Sequence, residues 1–274
     1  MRKKLLVSGV TLLVLALAAT GTALGLVVHG NAAFKGVARI YQGNQYLATD
    51  VGQPVDASFL FIDGRHALAA AVNGAASLAL VQPDDSSTVV DSYLVTVLHP
   101  ISFSAAYSLD RIDVRFSPNL SVGDIQTFTR LIIDDATYDI GSLTIEGVLE
   151  IDEAILVGSA PFMESTDTFG LLVQNDTDSP VDVSSIAYRL NGTEYEGLCA
   201  PVNPKAPPYT VRPRENADFT FFVEDFASMN VTLRPKVLIR VGAQEIVRLP
   251  PVATEYTTSL STAQIVAYLE QEVK

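Results

Sequence analysis

Short runs in which apolar and polar residues alternate fill most of the chain beyond residue 36. "RIDVRF" at 111–116 sets Ile112, Val114 and Phe116 between charged residues. "LTIEGVLEI" at 143–151 puts Leu143, Ile145, Leu149 and Ile151 on one face and Thr144, Glu146 and Glu150 on the other. A period of two belongs to half-buried strands, so these segments predict a sheet with one wet face. "GVARIYQ" at 36–42, "VDASFLFI" at 55–62 and "TVVDSYLVTVL" at 88–98 read as further strands, the last entered through the polar turn "QPDDSS". Beyond 160, "TFGLLVQ", "VDVSSIAYRL", "ADFTFFVED", "KVLIRVG" and "EIVRLPP" are short strands at sandwich-like intervals, with Pro, Gly, Asn and Asp between them.

Two segments carry mixed signals. In "HALAAAVNGAASLALV", 66–81, the alanines suit a helix, but Asn73-Gly74 is a turn signal between two apolar runs, and the expectation is a hairpin. "SVGDIQTFTRLIIDD", 121–135, leaves helix and strand open. The proline-rich "LCAPVNPKAPPYTVRP", 198–213, cannot sit centrally in a sheet, because each proline removes a donor. The tail "STAQIVAYLEQEVK" offers Ser261 or Thr262 as an N-cap and places Ile265, Val266 and Leu269 on one face, which predicts a short amphipathic C-terminal helix.

Residues 5–28 break the alternation altogether: they hold no charge and follow Arg2, Lys3 and Lys4. That length exceeds the roughly 20 residues a helix needs to cross a bilayer. The basic flank predicts the N-terminus in the cytoplasm and everything after Val28 outside. The expectation is a membrane partner through residues 5–28, an uncleaved signal anchor. A cleaved signal ending near Ala23 is the alternative, and a pilin-type leader lacks a clean processing site. The resulting organisation is a signal anchor or signal peptide at 1–33, a β-rich domain at 34–140, a sandwich at 141–258 and a C-terminal helix at 259–274.

Composition narrows the function classes. At 274 residues and 48% apolar, the chain can bury a real core. A net charge of −13 repels phosphate backbones, so nucleic acid is a disfavoured partner. The single Cys199 cannot form an intrachain disulfide, and as a nucleophile it would need one of His29, His66 or His99 beside it. No phosphate loop, GxSxG or HExxH occurs. Paired carboxylates for glycoside hydrolysis lack the usual aromatic platforms, since Trp is absent. No catalytic residues and no cofactor are therefore assigned, and a non-enzymatic role is expected.

The stretch "FGLLVQNDTDSPVDVSSIAYRLNG", 169–192, concentrates what site chemistry there is. Asp176, Asp178 and Asp182 are candidate calcium ligands, although the loop has neither the glycine nor the distal glutamate of an EF-hand. The plainer reading is a tight turn whose carboxylates are solvated or bond local backbone. Asn119, Asn175, Asn191 and Asn230 begin glycosylation sequons, consistent with an exported glycoprotein.

Three features of 143–254 resemble the WHy (water stress and hypersensitive response) domain of the late-embryogenesis-abundant family. They are the apolar strand ending in an Asn-containing turn, "GLLVQNDTDSPVDV"; the strand and hairpin "VSSIAYRLNGTEYEG"; and the late pattern "YTVRPRENADFTFFV…LRPKVLIRVGAQEIVRLPPV". Asp176 departs from the family's Asn-Pro-Asn turn. The resemblance implies an antiparallel β-sandwich, similar in architecture to fibronectin type III, without catalytic residues, often beside a membrane anchor and linked to stress protection. Together these observations predict a mainly β, membrane-anchored or secreted protein at the cell surface that acts as a binding or protective module. The alternative is a structural subunit of an extracellular filament or surface layer, self-associating by strand exchange at an exposed edge, unless charge and proline, as in "RPRE" at 212–215, blunt that edge.

Overall fold

The computed structural model describes residues 38–41, 43–64, 67–98, 107–151, 154–159, 168–200, 209–222 and 231–256. Among them no helix is long and apolar enough to cross a membrane. The apolar segment 5–28, the tail 261–274, the three histidines and Asn230 lie outside the described residues.

The described chain is mainly β. A ten-stranded sheet runs in the order β1 (Ala38–Ile40), β3 (Val55–Gly64), β6 (Tyr107–Phe116), β5 (Ser87–Leu98), β4 (Leu78–Val81), β7 (Ile125–Ile133), β8 (Ala136–Val148), β2 (Asn44–Asp50), β15 (Val231–Arg234), β18 (Thr254–Tyr256). An eight-stranded sheet has the order β17 (Gln244–Arg248), β16 (Lys236–Val241), β11 (Val181–Leu190), β12 (Thr193–Ala200), β14 (Glu215–Phe222), β10 (Thr168–Asn175), β9 (Ile155–Ser159), with β13 (Tyr209–Val211) also on β11. Every pairing in the second sheet is antiparallel. In the first, β2 lies parallel to both β8 and β15. Position 141 falls inside β8, and two strands from beyond residue 230 complete the first sheet.

The single helix of the described residues, α1 (Ala67–Gly74), replaces the expected hairpin at 66–81. Alanine's helix propensity prevails over the Asn73-Gly74 signal, which here marks the helix C-terminus. Leu68, Ala69 and Val72 are buried beneath it, and Asp63 Oδ2 accepts the Leu68 and Ala69 amides at 2.8 and 3.4 Å, capping the first turn.

Two hydrophobic cores share one wall. Leu143 and Ile145 of β8 and Leu47 of β2 join Phe59, Phe61, Phe116 and Phe128 in the first core. Tyr46 and Ala48 of β2, with Val231 and Leu233 of β15, point the other way, into the core of the second sheet around Phe169, Leu171, Val183 and Ile239. The wet face expected for 143–151 is therefore absent: Thr144 and Glu146 are buried, whereas Leu149 and Ile151 are exposed beyond the end of β8. A strand covered on both faces has no solvent side to keep polar.

The charge buried in that wall is matched. Glu146 accepts Lys236 Nζ at 2.6 Å through Oε1 and the Tyr46 hydroxyl at 2.8 Å through Oε2, which ties β8 and β2 to β16. Lys236 also lies 3.5 Å from Glu194, itself held by Arg189 at 3.0 Å. Burial beside the Glu146 carboxylate pushes the Tyr46 hydroxyl well above its ordinary value. A close backbone approach fixes β1–β2 against β8. Ser142 N donates to Gly43 O at 2.6 Å, and at Gly141 (φ +70°) an added Cβ would lie 2.1 Å from that oxygen.

Candidate functional site

The ten-stranded sheet curls until its last strand meets its third. Arg111 of β6 donates through Nη2 to Glu255 of β18 at 2.9 Å. Between the β2–β15–β18 end of the sheet and the β3–β6–β5 wall lies a groove of about 540 Å³, within the roughly 300–1,000 Å³ of small-ligand sites. Register builds its floor. Gln45, Thr232 and Glu255 are partners across β2, β15 and β18, and Leu47 and Arg234 form the next row. The facing wall carries Ser58, Arg111, Asp113, Arg115 and Asp56, and its rim is apolar at Leu94 and Val252.

Gln45 is the anomaly of this site. It is 2% exposed, and neither its amide nitrogen nor its amide oxygen has a hydrogen-bond partner among the described residues. Such a group costs roughly 1–3 kcal/mol when buried and unsatisfied. Arg234 is similar: Nε donates to Pro250 O at 2.7 Å, and its terminal nitrogens make no hydrogen bond or ion pair among the described residues. Burial pulls its guanidinium below the ordinary value, partly offset by the charges of Glu150, Asp56 and Asp50. Arg111 is oversubscribed instead. It serves Asp113 at 2.8 Å and Glu255 at 2.9 Å, and its Nη2 also meets Ser58 Oγ at 2.9 Å. Arg115 lies 3.6 Å from Asp56. Among the described residues no His or Cys lines the groove.

A second titratable constellation lies within the first core. Asp63 and Asp110 are both fully buried, and Ser108 Oγ donates to Asp110 Oδ1 at 2.6 Å. Burial pushes the Asp63 carboxyl up to about 6, and its hydrogen bond with the Asp110 carboxyl adds to this. Asp63 Oδ1 and Asp110 Oδ2 are buried without another hydrogen-bond partner among the described residues. Burial, with the Asp63 charge as a second cause, also raises the Tyr138 hydroxyl.

The 169–192 stretch is a structural knot. Asn175, at the end of β10, is fully buried. Its Nδ2 donates to the carbonyls of Ser179, Val211 and Arg212 at 2.8, 3.0 and 3.2 Å, while its Oδ1 accepts from Thr177 N and Oγ1. A glycan on that nitrogen is incompatible with this packing, so the sequon at Asn175 is read instead as a turn clamp. Asn119 and Asn191 are exposed. The candidate calcium ligands do not converge. Asp176 takes Gln174 Nε2 at 3.0 and 2.9 Å, Asp178 pairs with Arg214 at 2.7 Å, and Asp182 accepts Thr210 Oγ1 at 2.5 Å. Among the described residues no group of His, Cys, Asp and Glu gathers to hold a metal ion. "RPRE" forms the turn between β13 and β14, with Arg214 at φ 64°. Cys199 sits in β12 opposite Phe221, and its side chain lies outside the described residues.

The groove residues escaped sequence reading. Gln45 is one polar residue in "NQYLATD", and Arg234 lies far from it in the chain. The single available hint is a glutamine inside an otherwise strand-like run.

No family model matches the chain, and no curated protein matches it. A solved structure described as "Crystal structure of protein from Archaeoglobus fulgidus" is 18% identical, covering 39% of this chain and 98% of that one, with a TM-score of 0.23. At that score the likeness carries no argument.

Proposed function

We propose that this protein is a membrane-anchored, extracytoplasmic, non-enzymatic binding module whose ligand site is the groove between β2–β15–β18 and β3–β6–β5. The observation that carries the reading is the unpartnered, buried Gln45 amide at the floor of a groove of about 540 Å³. A fold that tolerates such a defect without a use for it is at a disadvantage, and ligand sites are where defects of this kind are kept. The second sheet supports the WHy-like part of the reading. Its three-strand run β9–β10–β14 and four-strand run β12–β11–β16–β17 have the order of a fibronectin type III-like sandwich. The anchor rests on the uncharged run 5–28 and its basic flank.

Gln45→Leu tests the site. Removing the unsatisfied amide at near-constant volume should raise Tm by about 2–4 °C, where a merely structural Gln45 would give a fall. N-terminal sequencing of the mature chain tests the anchor, and a start near Leu24 or Phe34 overturns it.

A second reading, a filament or surface-layer subunit, is favoured by β5. Beyond Val89 this strand pairs only with β6 among the described residues, and Leu94 is 63% exposed on it. Ordered fibres carrying this chain in negatively stained membrane fractions would favour that reading, and a monodisperse monomer at high concentration would count against it.

A further inference from the structure

We propose that the groove takes a small zwitterion with a peptide or amide group between its charged ends, of dipeptide size. This rests on the reading of the groove as a ligand site and adds the chemistry of the ligand.

The groove has two electrostatic poles and a neutral amide flanking them. At one pole Arg111 is shared by Asp113 and Glu255, so one cation faces two carboxylates. The local excess of negative charge suits an ammonium group. At the other pole the terminal nitrogens of Arg234 make no hydrogen bond among the described residues, and the carboxylates whose charges reach it, Glu150, Asp56 and Asp50, lie beyond ion-pairing distance. A planar fork of this kind suits a carboxylate. The pair Arg115–Asp56 adds no net charge. Gln45 lies in the Glu255 row two strands away, and Arg234 lies one row along on the strand between them, so the amide flanks both poles, where the edge of a peptide group would pass. Its oxygen lacks a donor and its nitrogen lacks an acceptor. A peptide group supplies one of each.

The same layout argues against other ligands. A simple anion would meet Arg234 but leave the Asp113–Glu255 excess and the Gln45 oxygen unmatched. A polyanion would in addition meet a chain of net charge −13. A purely apolar molecule would fill the space beside Leu47, Val114 and Ala253 and leave the Gln45 amide and the terminal nitrogens of Arg234 buried and unmatched.

The probe is glycyl-leucine, titrated calorimetrically into the full chain in detergent micelles beside N-acetyl-glycyl-leucine and glycyl-leucinamide. The free dipeptide is expected to bind, with either block weakening it at least tenfold. Arg234→Gln should weaken glycyl-leucine at least tenfold and leave glycyl-leucinamide unchanged. Gln45→Leu should weaken all three ligands while raising Tm. Equal binding of free and blocked dipeptides overturns the zwitterion assignment. If Gln45→Leu raises Tm and no dipeptide binds, the ligand class falls and the groove reading stands. If Gln45→Leu lowers Tm and no dipeptide binds, both fall.

Discussion

Replacing Asp63 by asparagine should make the protein more stable at pH 7.5 and change it little at pH 4. In the folded chain the Asp63 carboxyl sits at about 6 rather than at its ordinary 3.8, because it is buried beside Asp110. The folded protein therefore holds a proton that the unfolded chain releases. The stability linked to this group is fully present below about 3.8 and is lost as pH rises through about 6. At about 1.4 kcal/mol per unit, the loss approaches 3 kcal/mol on the alkaline side, as an upper bound for a strongly interacting pair. Asparagine can still accept the Leu68 amide through Oδ1 and donate to Asp110 through Nδ2, without a charge to desolvate. Urea unfolding of wild type and Asp63→Asn at half-unit steps from pH 4 to 7.5 isolates the effect, because contributions of other carboxylates cancel in the difference. The expected difference grows in favour of the variant across pH 4–6.5 and then levels. A difference that stays flat with pH, or one that favours wild type at pH 7.5, refutes the raised Asp63 carboxyl.

Other perturbations test the packing. Glu146→Gln leaves Lys236 as a buried, under-compensated charge between the two cores, and should cost about 3–5 kcal/mol in urea unfolding. Asn175→Asp turns an amide that donates to three carbonyls into a carboxylate facing them. It should cost roughly 3 kcal/mol or more by the same assay, and glycopeptide mapping should find Asn175 bare. Gly141→Ala combines a left-handed φ with a clash against Gly43 O. A loss of about 2–4 kcal/mol is expected, read as a lower urea midpoint at unchanged slope.

Strands with unbroken alternation, such as 111–116, were legible because each buries one face against one core. Legibility failed where a second effect intervened. The register irregularity between Phe128 and Arg130 shifts the parity of β7, so that its buried residues are Phe128, Leu131 and Ile133. The step of three mimics a helix, which is why 121–135 read both ways. A bulge at Val183/Ser185 does the same in β11, moving the buried set from Val181 and Val183 to Ile186, Tyr188 and Leu190. There the alternation on either side was long enough to keep the strand visible. The burial of Glu146 was not legible, since its partner Lys236 is distant in sequence and no local pattern announces a wall with two dry faces. For the groove, the acidic knot at 169–192 drew attention by its density of side-chain chemistry, but those groups satisfy one another locally. The residues left unsatisfied, Gln45 and Arg234, come together only because β15 lies parallel beside β2.

That pairing also constrains how the chain can be made and divided. Val231 is the register partner of Asn44, so the sheet begun in β2 is finished by strands that follow it far along the chain. During synthesis β2 keeps one edge open until residues 231–234 follow, and long-range pairing of this kind slows folding and exposes an edge that a foreign strand can occupy. A cut near residue 141 would sever β8 itself, and the first half would lose β15 and β18, its last two strands. The two cores share these strands, so they are expected to fold as one piece.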